Sequence, residues 1–134
     1  MANYESRART NYFHVRNQRK FRDWCARFEF EVIESGKGHN KLLGFLVNEE
    51  RGLPTSYFDE VKGEDVDADP LDELVDHLAP GHVAIYIEIG HEKMCYVNGF
   101  AYAINSRGET ASVNLSEIME RAKPLGKFIT EPQY

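Results

Sequence analysis

The strongest constraint on the fold is a pair of alternating segments that together cover residues 82–104 of this 134-residue chain. The first segment places its branched aliphatic side chains on one face, and these are Val83, Ile85, Ile87 and Ile89. The second segment places its bulky side chains on one face, and these are Tyr96, Phe100, Tyr102 and Ile104. Only residues 90–93 separate the two segments, so the sequence predicts a long antiparallel hairpin.

Three helices are predicted from their caps and from apolar spacing. The first follows Asn17, a residue type that caps helix N-termini. Its apolar stripe consists of Phe21, Trp24, Cys25 and Phe28. The second helix has Asp69 as its cap and Pro70 in its first turn, where the missing N–H costs nothing. The third spans about 115–123 and begins at a capping box that includes Asn114.

Shorter strands complete the predicted fold, and they lie at 11–15, 29–34, 41–47 and 110–113. The element order is therefore β-α-β-β-α-β-β-β-α. Hairpins that are joined through helices favour a mainly antiparallel sheet with three helices packed on one face, which is the α+β class. Residues 48–68 show neither helical nor strand periodicity and are predicted to form a long acidic loop. The whole chain, 1–134, is predicted to be a single domain.

Composition excludes several classes of protein. The formal net charge of −6 argues against a uniformly basic nucleic-acid-binding protein. No apolar run reaches the length of about 18 residues that a membrane span needs, so we expect no membrane partner. The two cysteines, Cys25 and Cys95, are too few for a disulfide framework and indicate a reducing compartment. We therefore expect a cytoplasmic protein.

The charged residues are unevenly distributed along the chain. A basic set lies near the N-terminus and consists of Arg7, Arg9, Arg16, Arg19, Lys20 and Arg22. An acidic strip lies in the middle of the chain and consists of Asp59, Glu60, Glu64, Asp65, Asp67, Asp69, Asp72, Glu73 and Asp76. The two regions either neutralise each other or face separate partners.

The acidic strip is the strongest pointer to a function. Closely spaced carboxylates present a negative surface that imitates a nucleic-acid backbone and attracts the basic groove of a partner protein. Tyr57 and Phe58 come directly before the strip and suit the aromatic anchors of an interface. A solvated loop followed by a capped helix explains the same residues without any partner. The basic set provides the alternative function, which is direct nucleic-acid binding through phosphate contacts.

Neither a metal site nor a catalytic centre is predicted. His77, His82, His91 and Cys95 lie close together in the sequence, but their spacing matches no zinc motif. Cys25 belongs to the apolar stripe of the first helix, where a thiol is normally inert. We therefore expect a non-enzymatic protein that needs no cofactor.

Two stretches of the chain resemble known proteins. The first runs from Arg9 to Val15 and continues into the FRDW sequence at 21–24. The second runs from 102 to 110, with the sequence YAINSRGET, and is followed by VNL at 113–115. Both resemble small accessory proteins that are carried by bacterial phages and plasmids. Such proteins often inhibit host defence, as anti-CRISPR and anti-restriction proteins do, so the resemblance implies an inhibitor in a bacterial host cell.

These features together predict an inhibitor from a mobile genetic element that binds a host nucleic-acid-handling defence complex. We expect it to block that complex by steric occlusion or by acidic mimicry of nucleic acid. Direct nucleic-acid binding by the basic set is the alternative. A homodimer is a further option, since the Tyr- and Phe-rich segment at 94–104 has enough bulk to leave an apolar surface.

Overall fold

The computed structural model describes residues 5–47, 52–92 and 96–132. Within these ranges the chain forms a six-stranded sheet, a separate two-stranded hairpin and three short helices. The predicted α+β class is therefore confirmed. No helix within the same ranges is long and apolar enough to cross a membrane.

Eight strands account for most of the regular structure. They are β1 (Glu5–Thr10), β2 (Glu31–Ser35), β3 (Leu42–Val47), β4 (Ser56–Asp59), β5 (Glu64–Asp67), β6 (Val83–Glu92), β7 (Tyr96–Asn105) and β8 (Thr110–Asn114). The main sheet has the order β2-β3-β1-β6-β7-β8, and every neighbouring pair is antiparallel. The predicted long hairpin is β6–β7, while β4 and β5 pair only with each other.

The first strand lies earlier in the chain than the predicted 11–15. It ends at Thr10, and a one-residue bulge follows it. The pairs on either side of the bulge are Arg9 with Leu46 and Phe13 with Leu43. Asn11 lies in the bulge, and its side-chain amide forms two hydrogen bonds with the backbone of β6. Its Oδ1 accepts from the Ile85 N–H at 2.7 Å, and its Nδ2 donates to the Val83 carbonyl at 3.1 Å. The bulge therefore keeps β1 joined to β6.

Helix α1 (Gln18–Arg27) begins as predicted, with the Asn17 side chain accepting a hydrogen bond from the Lys20 N–H at 3.0 Å. The helix ends in a Schellman motif, in which Glu29 adopts the left-handed conformation with φ 61°. Glycine usually occupies that position, so the sequence does not mark where the helix ends.

Helix α1 covers one face of the main sheet through an aromatic cluster, and we call this side the inner face. Trp24 is only 3% exposed, and its ring lies 5.5 Å from Phe28, 5.7 Å from Phe30 and 5.7 Å from Phe45. The rings of Phe30 and Phe45 are stacked at 4.5 Å. Aromatic pairs at these distances contribute beyond the area that they bury, so the cluster is the centre of the core.

The other two helices are shorter than predicted. Helix α2 (Pro70–Glu73) has the expected Asp69 cap and continues as a turn of 3-10 helix. Helix α3 (Ile118–Ala122) follows the expected capping box, formed by Asn114 and Glu117. None of the α3 residues is buried, so the prediction that all three helices pack on one face of the sheet is wrong for α3.

The prediction of a loop at 48–68 is wrong for most of its described part. Residues 56–67 form the β4–β5 hairpin. Three of the four β5 residues are aspartate or glutamate, which have low strand propensity, so the sequence pattern did not reveal this hairpin. Residues 48–51 lie outside the described ranges.

The face of the main sheet that points away from α1 carries the aliphatic side of β6, and we call it the open face. The opposite side of β6 is buried against the core, through Ala84, Tyr86 and Glu88. On the open face Ile85, Ile87 and Ile89 are 38%, 49% and 57% exposed. Arg7 and Arg9 of β1 pair with Ile89 and Ile87 and share that face. The sheet therefore exposes its most aliphatic side.

Candidate functional site

The acidic strip occupies the β4–β5 hairpin and the helix that follows it. Asp59 closes the hairpin turn, where its Oδ1 accepts from the N–H groups of Val61 and Lys62 at 2.9 and 3.1 Å. Asp69 caps α2 by accepting from the Asp72 N–H at 3.3 Å. These two carboxylates therefore stabilise the local structure.

The other seven carboxylates of the strip form no hydrogen bond or ion pair with any described residue. They are Glu60, Glu64, Asp65, Asp67, Asp72, Glu73 and Asp76, and all except Glu73 are exposed. Residues 59–76 contain nine acidic residues and one lysine, which is a local charge of −8. Their field also reaches the sheet, since burial and then the charges of Asp72 and Asp69 raise the pKa of Tyr102.

Tyr57 attaches the hairpin to the core. Its ring packs edge-on against Phe28 at 5.5 Å, and the Arg27 guanidinium lies 4.9 Å from the ring centroid. Phe58 points to the other side of the hairpin, where it pairs with Asp65 and is 60% exposed. Of the two predicted anchors, Phe58 is therefore the one that a partner can contact, while Tyr57 positions the hairpin.

A groove of about 770 Å³ separates the C-terminal end of α1 from the hairpin. Its charged lining consists of Arg27, Glu29, Glu60 and Asp65, and its apolar lining includes Leu53, Pro54 and Phe58. Nothing in the sequence marks Arg27 and Glu29 as neighbours of the acidic strip. Only the packing of Tyr57 on α1 brings them there, and no local pattern signals that contact.

The basic set is divided between the two faces of the main sheet. Two members project from the open face, and these are Arg7 and Arg9. The other four lie at α1, and these are Arg16, Arg19, Lys20 and Arg22. Arg16 donates to the Leu78 carbonyl at 2.7 Å, and Arg22 forms an ion pair with Glu34 at 2.6 Å. The described residues therefore do not place the basic set on one surface.

Direct neutralisation of the acidic strip by the basic set is not observed. No ion pair between described residues joins the two regions. The contact of α1 with the hairpin instead uses the ring of Tyr57 under Arg27, and Arg27 is not a member of the basic set.

The four residues considered as metal ligands serve other roles or lie outside the described ranges. His77 packs in the aromatic core, and His82 accepts a hydrogen bond through Nδ1 from the His14 N–H at 3.2 Å. His91 lies on the open face, opposite β1. Cys95 lies outside the described ranges. Within those ranges no group of three or more His, Cys, Asp or Glu residues has an arrangement that holds a metal ion.

Cys25 is buried in α1 beside Trp24. Burial raises the pKa of its thiol to about 12, and the nearby Arg22 only partly opposes this effect. The thiolate is the nucleophilic form of cysteine, so the Cys25 thiol stays protonated near neutral pH. Its predicted place in the buried apolar stripe of α1 is confirmed.

His77 makes the stability of the fold depend on pH. Its ring lies 4.9 Å from the Trp24 ring, and burial lowers the pKa of His77 below its ordinary value of 6.5. The unfolded chain therefore binds more protons than the folded chain in this range, and folding stability is lost as the pH falls below about 6.5. We expect the urea midpoint to decrease between about pH 7.5 and pH 5.

The variant His77→Phe tests this assignment, since phenylalanine keeps the aromatic packing and cannot be protonated. Its urea midpoint should change less over the same pH interval than that of the unmodified protein. Glu34 does not interfere, because hydrogen bonds from Arg22 and Lys41 hold the pKa of its carboxyl below the ordinary value of 4.5. Equal pH dependence in the two proteins would show that His77 is not the responsible group.

No protein-family model matches the chain, and neither a curated protein nor a solved structure does so. The placement of the charges and of the exposed apolar side chains therefore carries the functional argument.

Proposed function

We propose that this protein binds a basic, nucleic-acid-handling protein complex through its acidic strip and keeps nucleic acid from entering it. The supporting observation is the set of seven carboxylates that have no partner among the described residues and lie on and beside a hairpin attached to the core. A segment with a local charge of −8 repels itself, and a basic groove removes that repulsion on binding. In this role the protein is an inhibitor and not an enzyme.

The hairpin gives its carboxylates a regular spacing. Asp65 and Asp67 lie on either side of Val66 and therefore share one face of β5, about 7 Å apart. Neighbouring phosphates along a nucleic-acid strand have a similar spacing, so a groove built for phosphates also suits these side chains. Phe58 lies on the same face and adds an apolar contact at the centre of the charged surface.

The proposed partner is a host defence complex, and this step rests on the resemblance to accessory proteins of phages and plasmids. We place the protein accordingly in the bacterial cytoplasm, as an anti-CRISPR or anti-restriction inhibitor. Steric occlusion and nucleic-acid mimicry are both compatible with an acidic surface. Mimicry requires that double-stranded DNA competes with the protein for the same groove, whereas occlusion at another surface does not.

A variant with a neutralised hairpin tests the proposal, and it combines Glu60→Gln, Glu64→Gln, Asp65→Asn and Asp67→Asn. It retains Asp59 and Asp69, whose hydrogen bonds hold the turn and the α2 cap, so the fold should persist. We expect at least about a tenfold loss of partner binding, because the complementary charges that attract the partner are removed. The measurement is affinity capture from a nuclease-treated bacterial lysate, followed by mass spectrometry and displacement with double-stranded DNA.

The matched control neutralises four carboxylates outside the strip, and it combines Asp23→Asn, Glu31→Gln, Glu92→Gln and Glu120→Gln. Both variants change the net charge from −6 to −2, so a difference between them reports position and not total charge. The control should retain the complex as the unmodified protein does. Equal retention by the neutralised hairpin would remove the acidic strip from the proposal. Recovery of nucleic acid alone, from lysate without nuclease, would favour direct binding by the basic set.

A further inference from the structure

The open face of the main sheet combines a ridge and a trough. The ridge runs along β6 and consists of Ile85, Ile87 and Ile89. The trough runs along β7, whose side chains on this face are small, and these are Gly99, Ala101 and Ala103. Val113 of β8 bounds the far side of the trough and is 48% exposed, while Leu115 is 60% exposed and fills the trough over Gly99. A groove of about 130 Å³ lies between the two bulky rows.

The strand register places each ridge residue directly beside a trough residue. Ile87 is opposite Ala101, and Ala101 is opposite Val113, so one row across three strands alternates large, small and large. A two-fold axis that runs parallel to the strands between β6 and β7 places β6 of each copy over β7 of the other. Ile85 and Ile87 of each copy then enter the trough of the partner at Ala103 and Ala101, where the surface is complementary to itself.

The size of the contact is sufficient for a small dimer interface. The axis overlaps β1, β6, β7 and β8 with their copies, and these strands give a contact of roughly 500 Å² on each copy at the usual strand spacing and rise per residue. A specific interface buries about 1,000 Å² in total when its surfaces are complementary. The two copies together therefore reach the lower limit of a specific contact.

The charges on the open face also permit a second copy to approach. The charged residues of the overlapping strands on this face are Glu5, Arg7 and Arg9. Their sum is +1, in contrast to the net charge of −6 for the whole chain. Arg7 and Arg9 border the ridge, and their guanidinium groups donate to the carbonyl groups of Ser6 at 2.8 Å and Thr10 at 3.0 Å.

We propose that two copies of this chain form a symmetric dimer through their open faces. Ile87 lies at the centre of the contact, against Ala101 of the partner copy, and Arg7 and Arg9 lie at its edge. The acidic strip is not part of this contact, because the hairpin is attached to α1 on the inner face. The dimer is therefore independent of the proposed binding to a nucleic-acid-handling complex.

Two variants of the full chain test the dimer, Ile87→Asp and Ala101→Phe. The first places a charge on the ridge, where Ile87 is half-exposed in the single chain, and the second fills the trough. The unmodified protein should sediment at twice the chain mass of 15.4 kDa. Each variant should raise the dimer dissociation constant at least about a hundredfold, measured by sedimentation equilibrium over about two decades of concentration.

The control Val61→Asp adds the same charge at the hairpin tip, where Val61 is 98% exposed, and should leave the dimer intact. Circular dichroism reports whether Ile87→Asp is folded, and Ala101→Phe provides a second variant that adds no charge. A monomer at every concentration would overturn the proposal, as would a dimer that survives both variants. An open face that binds only a different protein would also overturn it. The hairpin-neutralised variant should still dimerise, so the two proposals fail separately.

Discussion

Replacing Trp24 with alanine is expected to lower the free energy of unfolding by about 3–5 kcal/mol. The Trp24 ring is 3% exposed and packs against Phe28, Phe30 and Phe45, so its removal leaves a cavity in the most densely aromatic part of the core. The total stability of a domain of this size is about 5–15 kcal/mol, so the loss is a large fraction of it. Urea unfolding followed by circular dichroism measures the effect, because Trp24 is the only tryptophan and its fluorescence is lost.

The conservative variant Trp24→Phe separates the volume of the ring from its N–H group. The indole Nε1 is buried and has no hydrogen-bond partner among the described residues. Phenylalanine removes that unsatisfied donor, which offsets part of the cost of the smaller ring. We expect Trp24→Phe to lose less than half as much stability as Trp24→Ala. Equal losses in the two variants would show that aromatic packing at this position contributes little.

Replacing Gly44 with alanine is expected to destabilise the fold by at least about 2–3 kcal/mol. A Cβ atom at this position would lie 2.3 Å from the Asn11 carbonyl oxygen and 2.8 Å from the Thr10 hydroxyl. The oxygen belongs to the backbone of the bulge and cannot rotate away. The Thr10 hydroxyl accepts a hydrogen bond from the Phe45 N–H at 3.0 Å, so a shift there also disturbs the pairing of β1 with β3.

Gly126→Ala provides the matched control for that substitution. No atom lies within 4 Å of the Cβ position of Gly126, and its φ of 177° is an extended conformation that any residue adopts. Its urea midpoint should stay within experimental error of the unmodified protein. A Gly44→Ala variant with the same midpoint would mean that β1 and β3 do not approach closely at the bulge.

The two proposed surfaces have complementary consequences for function. The acidic strip lies with α1 and the hairpin, and the dimer contact lies on the open face. A dimer therefore presents two acidic strips on its outside. When a target complex has two basic grooves within reach, the second contact is intramolecular and strengthens binding without any new interaction. The Ile87→Asp variant should then bind a single groove normally and lose only the gain from bivalency.

Much of the local structure follows from short-range rules that can be read in the sequence. Asn17 and Asp69 cap helices because their side chains satisfy free N–H groups, and both caps occur where predicted. The β6–β7 hairpin follows from strict alternation. On β6 the isoleucines and the residues between them do lie on opposite faces of the sheet. The β4–β5 hairpin was missed, because three of the four β5 residues are acidic and the two strands pair only with each other.

The candidate site was only partly predictable. Its acidic residues are evident from the sequence. The different roles of Tyr57, which holds the hairpin against the core, and Phe58, which is exposed, are not. Alternation shows that the two rings point in opposite directions, but only the position of Phe28 decides which ring is held against the core. Arg27 joins the site for the same reason.

The sequence by itself determined the caps, the alternation of the strands and the position of the acidic strip, because these depend on neighbouring residues. Only the tertiary structure decided which face of β6 is buried. Periodicity shows that Ile87 and Tyr86 point in opposite directions, and both are apolar enough to enter a core. Helix α1 packs on the side of Tyr86, whose hydroxyl donates to Glu88 at 2.7 Å, and this leaves the isoleucines exposed. Burial depends on contacts between distant segments, which no local pattern records.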